Sequence, residues 1–187
     1  MNELIKDLGL LINATLIATP PLLLAALGSC FSERSGVVNI GIEGMMTIGA
    51  FTGAVMGLTT GNGWIAFFCA GLAGALFGLI HAFACISCHA DQTIAGTAIN
   101  FLGPGLALFL CKAMYNNSSD TPAMDPSCKL PKLFEGVFPT GSFWSNVLNV
   151  YAVAYLVFIL AFICWFVFYK TRFGAHLRAV GEHPEAC

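Results

Sequence analysis

Five long apolar stretches constrain this chain more than any other feature of its sequence. Each holds about 20 mostly apolar residues, the length that an α-helix needs to cross the hydrocarbon core of a bilayer. Backbone polar groups in lipid must bond to one another, and the stretches lack the alternation of barrel strands, so helices are the expected structure. The predicted spans are residues 8–30, 38–59, 64–87, 93–111 and 148–169.

The composition supports a membrane-embedded, all-α helix bundle of about five transmembrane helices. Hydrophobic residues make up 57% of the 187 residues and charged residues 10%, and the mean hydropathy is +0.79. A soluble domain carries about 25% charged residues, and one of this size could not bury so much apolar surface. The formal net charge of −2 gives no indication of nucleic-acid binding.

The connections between the predicted spans differ in length and charge, and they suggest an orientation. Residues 112–147 form one long polar loop, whereas the other connections are short enough to make neighbouring helices antiparallel. Lys170, Arg172 and Arg178 follow the last span, and the positive-inside rule places this tail in the cytoplasm. Alternation then places the first and third short connections in the cytoplasm and the long loop outside. The short connections are residues 31–37, 60–63 and 88–92.

Four polar residues lie in the predicted spans or at the edge of one, and they are candidates for a translocation path or a lock between helices. They are Asn39, Glu43, Gln92 and Asn100. A charge at the bilayer centre costs about 2.5–3.5 kcal/mol, so Glu43 lies either at a hydrated helix end or against a polar path or a neighbouring helix. Asn39 precedes Glu43 by four residues, and we expect the two on one helical face.

A polar stripe opens the fourth predicted span. Gln92, Gly96 and Asn100 are spaced by four residues and so fall on one helix face. The Gly103-Pro104-Gly105 triplet follows, where proline removes a backbone donor and glycine permits unwinding. One interpretation is a broken helix that lines a cavity. The other is a kinked helix held by interhelical hydrogen bonds, and the same ambiguity applies to Pro20-Pro21.

Small residues recur at the spacing of helix-packing positions. Gly49 and Gly53 form one G-x-x-x-G pair, and Gly74 and Gly78 form another, with Ala70 one step before. Such pairs let the backbones of membrane helices approach closely. They predict a packed bundle without indicating what it transports.

The sequence predicts neither catalytic residues nor a metal site. It contains neither the H-E-x-x-H motif of metalloproteases nor the phosphate-binding G-x-x-x-x-G-K. Cys85, Cys88 and His89 form a C-x-x-C-H string like that of haem attachment, but no second ligand cluster accompanies it. We therefore expect a chain that is not an enzyme and binds no cofactor, so that any energy must come from a partner.

Four blocks, in order, carry a resemblance to a known family. They read ATPPLLLAALGSCFSERSG at 18–36, SERSGVVNIGIEGMM at 32–46, ADQTIAGTAINFLG at 90–103 and FGAHLRAVGEHPEA at 173–186. Together they resemble the permeases of bacterial ATP-binding-cassette (ABC) importers for simple sugars and nucleosides, within the wider branched-chain amino acid and ribose permease family. The sequence departs from the family pattern at His176, at His183 and in the 112–147 loop.

The resemblance implies a function that needs several partners. The chain would be a multi-pass subunit in the lipid of the bacterial inner membrane, and a second permease subunit, identical or related, would complete the pathway. ATPase subunits would bind ATP, and an extracytoplasmic binding protein would deliver a nucleoside, a simple sugar or riboflavin. The rival interpretations are a channel or secondary transporter without an ATPase, and a membrane scaffold that transports nothing.

The resemblance also assigns a role to the tail. A short coupling helix from Arg178 to Glu185 would dock on the ATPase, with Gly181 and Pro184 shaping its ends and Glu182 on the face of Arg178. Family members are longer and carry further helices. Residues 1–187 would therefore be a single transmembrane permease domain, incomplete at its C-terminus, with 170–187 as its cytoplasmic coupling loop.

The predicted orientation can be tested by thiol labelling. In a cysteine-free background, Ser119→Cys should react with a membrane-impermeant reagent added to intact cells, because the long loop faces outward. Ala179→Cys should react only after the membrane is permeabilised. Labelling of position 179 but not of position 119 in intact cells would reverse the orientation.

Overall fold

Six helices account for most of the chain in the computed structural model, which describes residues 2–125, 129–133 and 147–183, with side chains from residue 7 onward. Five of the helices in these ranges are long and apolar enough to cross a membrane, and they coincide with the five predicted spans. The helices are α1 (Asn2–Arg34), α2 (Ile42–Thr60), α3 (Gly63–Ala82), α4 (Gln92–Met114), α5 (Ala152–Lys170) and α6 (Arg172–Glu182). One π-helical turn, Phe83–Ser87, extends α3.

The chain divides into two compact units, each described here by itself. The first unit comprises residues 1–28 and 130–178, and the second comprises residues 29–129 and 179–187. Within the first unit, Val157 of α5 is fully buried, and the backbone N–H of Ala152 donates to the carbonyl oxygen of Pro131 at 3.0 Å. This bond ties the start of α5 to the short described segment that precedes it.

The second unit is built around α2, α3 and α4. Its apolar core holds Ile48 from α2, Phe77 from α3, and Ile99 and Ala107 from α4, all of them buried. Large apolar side chains on the outer faces of the helices, such as Leu72 and Phe101, are more than two-thirds exposed. Lipid can cover such faces at no hydrophobic cost, so the core need not absorb them.

Close helix packing occurs on α2 at the predicted glycine pair. A Cβ atom added to Gly49 would lie 3.1 Å from the carbonyl oxygen of Ala70, and one added to Gly53 would lie 3.1 Å from the Ala70 methyl group. The pair on α3 is looser, since a Cβ at Gly74 would come no nearer than 3.6 Å to the carbonyl oxygen of Met45. The pattern therefore predicted the tight approach of α2 to α3.

A second and tighter approach joins α2 to α4. A Cβ atom on Gly103 would overlap the carbonyl group of Gly44 and lie 2.8 Å from the Gly44 Cα atom. A Cβ atom on Gly44 would in turn overlap the carbonyl oxygen of Ile99 and lie 2.9 Å from the Cα atom of Asn100. Both crossing positions therefore require glycine, and we refer to this contact as the α2–α4 crossing.

Of the two interpretations of the Gly103-Pro104-Gly105 triplet, the broken helix is wrong. α4 is continuous from Gln92 to Met114, and α1 likewise runs through Pro20 and Pro21. The glycine that precedes Pro104 is needed for the approach to α2, and Gly105 has nothing within 4 Å of an added Cβ. Packing of α4 at the crossing holds the helix together despite the backbone bond that Pro104 cannot make.

The start of the second span was also placed four residues too early. α2 begins at Ile42, and residues 35–41 form a turn between α1 and α2, which we call the α1–α2 link. Gly36 has a φ of +87°, a left-handed conformation that favours glycine. Apolar side chains continue through the link, so hydrophobicity alone could not separate it from the helix that follows.

The two glycines that flank Pro104 provide a matched test of the crossing. Gly103→Ala should destabilise the protein by about 1–3 kcal/mol, because backbone atoms of α2 must move to admit the methyl group. Gly105→Ala should be neutral or stabilising by up to about 1 kcal/mol, since alanine is the better helix former. Unfolding of the purified protein in mixed detergent measures both, and equal stability of the two variants would contradict the crossing.

Candidate functional site

The α1–α2 link is ordered by its own polar side chains. The Ser32 hydroxyl donates to the carbonyl oxygen of Val37 at 2.6 Å, and the side-chain oxygen of Asn39 accepts from the backbone N–H of Gly41 at 3.1 Å. Asn39 therefore belongs to a turn, and the prediction that it shares a helical face with Glu43 is wrong. Gly41 is the residue that caps α2, and it offers no side-chain hydrogen bond to the helix.

Asn100 of α4 supplies the missing cap across the helix interface. Its side-chain oxygen accepts from the backbone N–H of Gly44 at 2.8 Å, and its side-chain nitrogen donates to the carbonyl oxygen of Ile40 at 2.9 Å. The N–H of Gly44 lies in the first turn of α2, where backbone donors have no partner within the helix. One amide therefore satisfies the start of α2 and joins it to α4.

Gln92 adds a second amide contact at the beginning of α4. Its side-chain oxygen accepts from the backbone N–H of Val38 at 2.7 Å. Between the two amides, a Cβ on Gly96 would lie 3.0 Å from the backbone nitrogen of Gly41. The predicted stripe of Gln92, Gly96 and Asn100 thus does occupy one face, and that face packs against residues 38–44. We call the contacts of Gln92 and Asn100 with this segment the amide bracket.

Glu43 occupies a different environment from the amides. It lies in the first turn of α2, and its side chain is exposed. A carboxylate near a helix N-terminus is favoured by the helix dipole, usually by about 0.3–1 kcal/mol. The hydrogen bonds between α2 and α4 come from Asn100, so the predicted participation of Glu43 in a lock or a path stays a prediction.

A cavity of about 380 Å³ lies between α2 and α4 beyond the crossing. The two helices run in the same direction from their bracketed N-terminal ends, and the polypeptide that follows α4 forms the third wall. This volume is within the range of small-molecule sites in proteins. The lining residues are Thr47, Ala50, Phe51 and Ala54 from α2, Pro104, Ala107, Leu108 and Cys111 from α4, and Ser119, Asp120 and Thr121.

The sequence analysis did not find this cavity. Small and apolar side chains at Ala50, Ala54 and Ala107 look in sequence like ordinary lipid-span residues. The wall formed by residues 119–121 comes from the long loop, whose position no helical pattern could predict. The spacing of Thr47, Phe51 and Ala54 on one face of α2 was the only signal available, and it does not distinguish a cavity from a packed interface.

The tail helix differs from its predicted extent. α6 begins at Arg172, six residues before the predicted coupling helix, and it includes Gly181 and ends at Glu182. Pro184 and Glu185 lie outside the described residues, so their predicted role stays untested. Glu182 is exposed.

Gly181 is the penultimate residue of α6 and makes a close backbone contact. The sequence had suggested only that it shapes a helix end. A Cβ atom there would overlap the carbonyl oxygen of Arg34 and lie 3.2 Å from the backbone nitrogen of Gly36. The residue therefore packs against the end of α1 and the α1–α2 link, all within the second unit. Glycine is required at this position by the approach of another backbone.

Arg178 is held within the first unit. Its Nε–H donates to the carbonyl oxygen of Gly174 one turn earlier at 3.2 Å, and its guanidinium lies 5.8 Å from the centre of the Tyr169 ring. These contacts hold the guanidinium next to the end of α5. The side chain is half-buried, so part of it still faces outward.

The C-x-x-C-H string is split by the structure. Cys85 is buried in the π-helical turn with its sulfur 3.7 Å from Nε2 of His81, while Cys88 is exposed. In the described ranges no three His, Cys, Asp or Glu side chains gather closely enough to hold a metal ion.

Comparison with known proteins gives a consistent set of relatives. The family model described as the permease component of the branched-chain amino acid transport system matches residues 11–187. The guanosine ABC transporter permease protein NupQ of Bacillus subtilis is 44% identical, and the nucleoside ABC transporter permease protein NupC of Lactococcus lactis is 33% identical. Both matches cover 98% of this chain and 59% of the relative. The putative glucose ABC transporter permease protein TsgC13 of Haloferax volcanii is 36% identical, over 94% of this chain and 52% of its own length.

The chain thus spans somewhat more than half the length of the two nucleoside-related relatives. No solved structure matched it.

We expect the amide bracket to make a measurable contribution to stability. Asn100→Leu removes a helix cap and an interhelical bond, and it should cost about 1–3 kcal/mol, given about 1 kcal/mol for a cap and about 0.6 for a polar contact between membrane helices. Thr97→Ala is the control, because the Thr97 hydroxyl bonds only to Thr93 of its own helix. Reversible unfolding in mixed micelles gives both values. An Asn100→Leu variant as stable as the control would rule out the bracket.

Proposed function

Because this chain belongs to the family of permease components of the branched-chain amino acid transport system, and is a multi-pass membrane protein, we propose that it forms part of the transmembrane subunit of an ABC importer. The observation that carries this proposal is the cavity between α2 and α4. It lies next to the crossing, is largely open to the outside, and has the volume of a small-molecule site.

The chemistry of the cavity suits a small amphipathic cargo. Phe51, Pro104 and Leu108 offer apolar surface to the face of a purine or the C–H face of a sugar ring. Thr47 and Asp120 add hydroxyl and carboxylate groups that can bond to cargo N–H and O–H groups. Nucleosides are the leading cargo class, because NupQ at 44% identity is named for guanosine and NupC at 33% for nucleosides. Simple sugars are second, because TsgC13 at 36% identity is named for glucose.

Transport against a gradient needs an energy source, and the sequence offers no phosphate-binding loop of its own. ATP would therefore bind to partner ATPase subunits, and α6 supplies a surface for them. This helix has a charged face and an apolar face, and its exposed side chains include Arg172, Phe173 and His176. A second permease subunit would complete the path, and an extracytoplasmic binding protein would deliver cargo. The membrane is the bacterial inner membrane.

The proposal is tested by uptake through the complete permease that carries this sequence. Reconstituted with its ATPase and binding protein, it should accumulate labelled guanosine only when ATP can be hydrolysed. Ala54→Trp should lower the uptake rate at least about tenfold, equivalent to about 1.4 kcal/mol, because the indole fills the cavity. Leu72→Trp is the control, since Leu72 is 71% exposed on the outer face of α3.

Each alternative function predicts a different result in this experiment. Uptake that continues with an ATPase unable to hydrolyse ATP would indicate a channel or secondary transporter. An assembled complex that takes up neither guanosine nor glucose would indicate a membrane scaffold that transports nothing. Equal uptake by the two tryptophan variants would remove the cavity from the path.

A further inference from the structure

The α1–α2 link is gripped from two sides. On one side, Gly181 of α6 packs against it so closely that a methyl group would overlap the carbonyl oxygen of Arg34. Gly36 completes this contact, since a Cβ there would lie 3.4 Å from the Gly181 Cα atom. On the other side, Val38 and Ile40 are hydrogen-bonded to the two amides of α4. The link thus connects two tight contacts, one with the end of α6 and one with α4.

The link is also stiff enough to transmit a displacement. The hydroxyl of Ser32 bonds to the carbonyl oxygen of Val37, and Asn39 bonds to the N–H of Gly41, so both halves of the turn are closed by short polar contacts. Closely packed backbone has little room to absorb movement by compression. A shift of Gly181 must therefore either break its contact or move the link.

Beyond the link lies the α2–α4 crossing. Asn100 bonds on both sides of the N-terminus of α2, to Ile40 and to Gly44, and Gly44 is itself in backbone contact with Gly103. The cavity begins next to this crossing, at Thr47 and Pro104, and α2 and α4 continue along its two walls. A small rotation of α2 at the crossing would change the width of the cavity further along the helices.

We propose that the end of α6 controls the cavity through this route, with the Gly181 contact moving the α1–α2 link and the amide bracket passing that movement to the crossing. The inference rests on the proposed function, because the partner that displaces α6 would be the ATPase. It adds that the signal enters the bundle by a non-covalent contact with the start of α2. A partner can shift a conformation only if it binds the two states differently.

Cys111 provides a built-in reporter for this route. It lines the cavity and is 3% exposed, so its rate of thiol labelling depends on the width of the cavity. With the other seven cysteines of this sequence and any cysteines elsewhere in the importer replaced by alanine, the complete importer would be labelled in the presence and absence of a non-hydrolysable ATP analogue. Without further substitutions, the labelling rate of Cys111 should differ at least about fivefold between the two conditions, which is the lower end of typical allosteric coupling.

Two variants interrupt the route at different points. Gly181→Ala disturbs its first contact, and Gln92→Met removes the acceptor for Val38 at a distance from α6 in the sequence. Both should reduce the nucleotide-dependent change to less than about twofold. Gly71→Ala is the matched control, because a Cβ atom there meets nothing within 4 Å, and it should retain the full change.

The outcomes separate the inference from the proposed function. A reporter that never responds to nucleotide, even without either substitution, would overturn the proposed coupling to an ATPase. If the labelling rate of Cys111 changes fully with nucleotide and still does so in Gln92→Met, the relay is overturned but the coupling to an ATPase is not. Co-purification of the ATPase with each variant shows whether Gly181→Ala acts by loss of docking, and in that case Gln92→Met alone decides.

Discussion

The backbone contact between Gly44 and Gly103 is the constraint on which the rest of the second unit depends. Helices in lipid gain little from burying apolar side chains against one another, so their association relies on close packing and on polar contacts. At this crossing both are present, because the absence of two side chains brings α4 within reach of the N-terminus of α2. Asn100 can then bond to Gly44 and Ile40 with one short side chain.

The crossing also explains why α2 can begin directly after a turn that contains Gly36 and Gly41. Gly41 provides no side-chain cap, and an uncapped helix start would be costly inside a membrane, where water cannot replace the missing partner. The cap comes instead from α4, together with the bond from Val38 to Gln92. Two segments far apart in sequence, residues 38–44 and 92–100, are thereby fixed together, and the cavity wall that begins at Thr47 starts from a defined position.

Hydrophobic patterning predicted the large features well, and tertiary contacts decided the rest. The five spans followed from apolar length, and the four-residue spacing of Gln92, Gly96 and Asn100 correctly placed them on one face. The broken-helix interpretation at Pro104 was wrong because packing at Gly103 outweighed the local tendency of proline and glycine to interrupt a helix. Asn39 was misplaced because an apolar turn looks like helix in sequence, and the 119–121 wall of the cavity could not be predicted without a position for the loop.

The contact of Gly181 adds a geometric argument about topology that charge alone could not supply. The end of α1 at Arg34 and the end of α6 at Gly181 meet, so they lie on the same side of the membrane. In the described residues, four helices long and apolar enough to span a membrane, α2 to α5, separate these points, and an even number of crossings returns a chain to the side from which it left. Basic residues at both points, Arg34 and Arg178, then fall on one side, as the positive-inside rule requires of a cytoplasmic face. The contact alone does not say which side this is, and Lys112, Lys129 and Lys132 of the 112–147 connection match the three basic residues of the tail in number. The cytoplasmic position of the tail therefore stays a prediction.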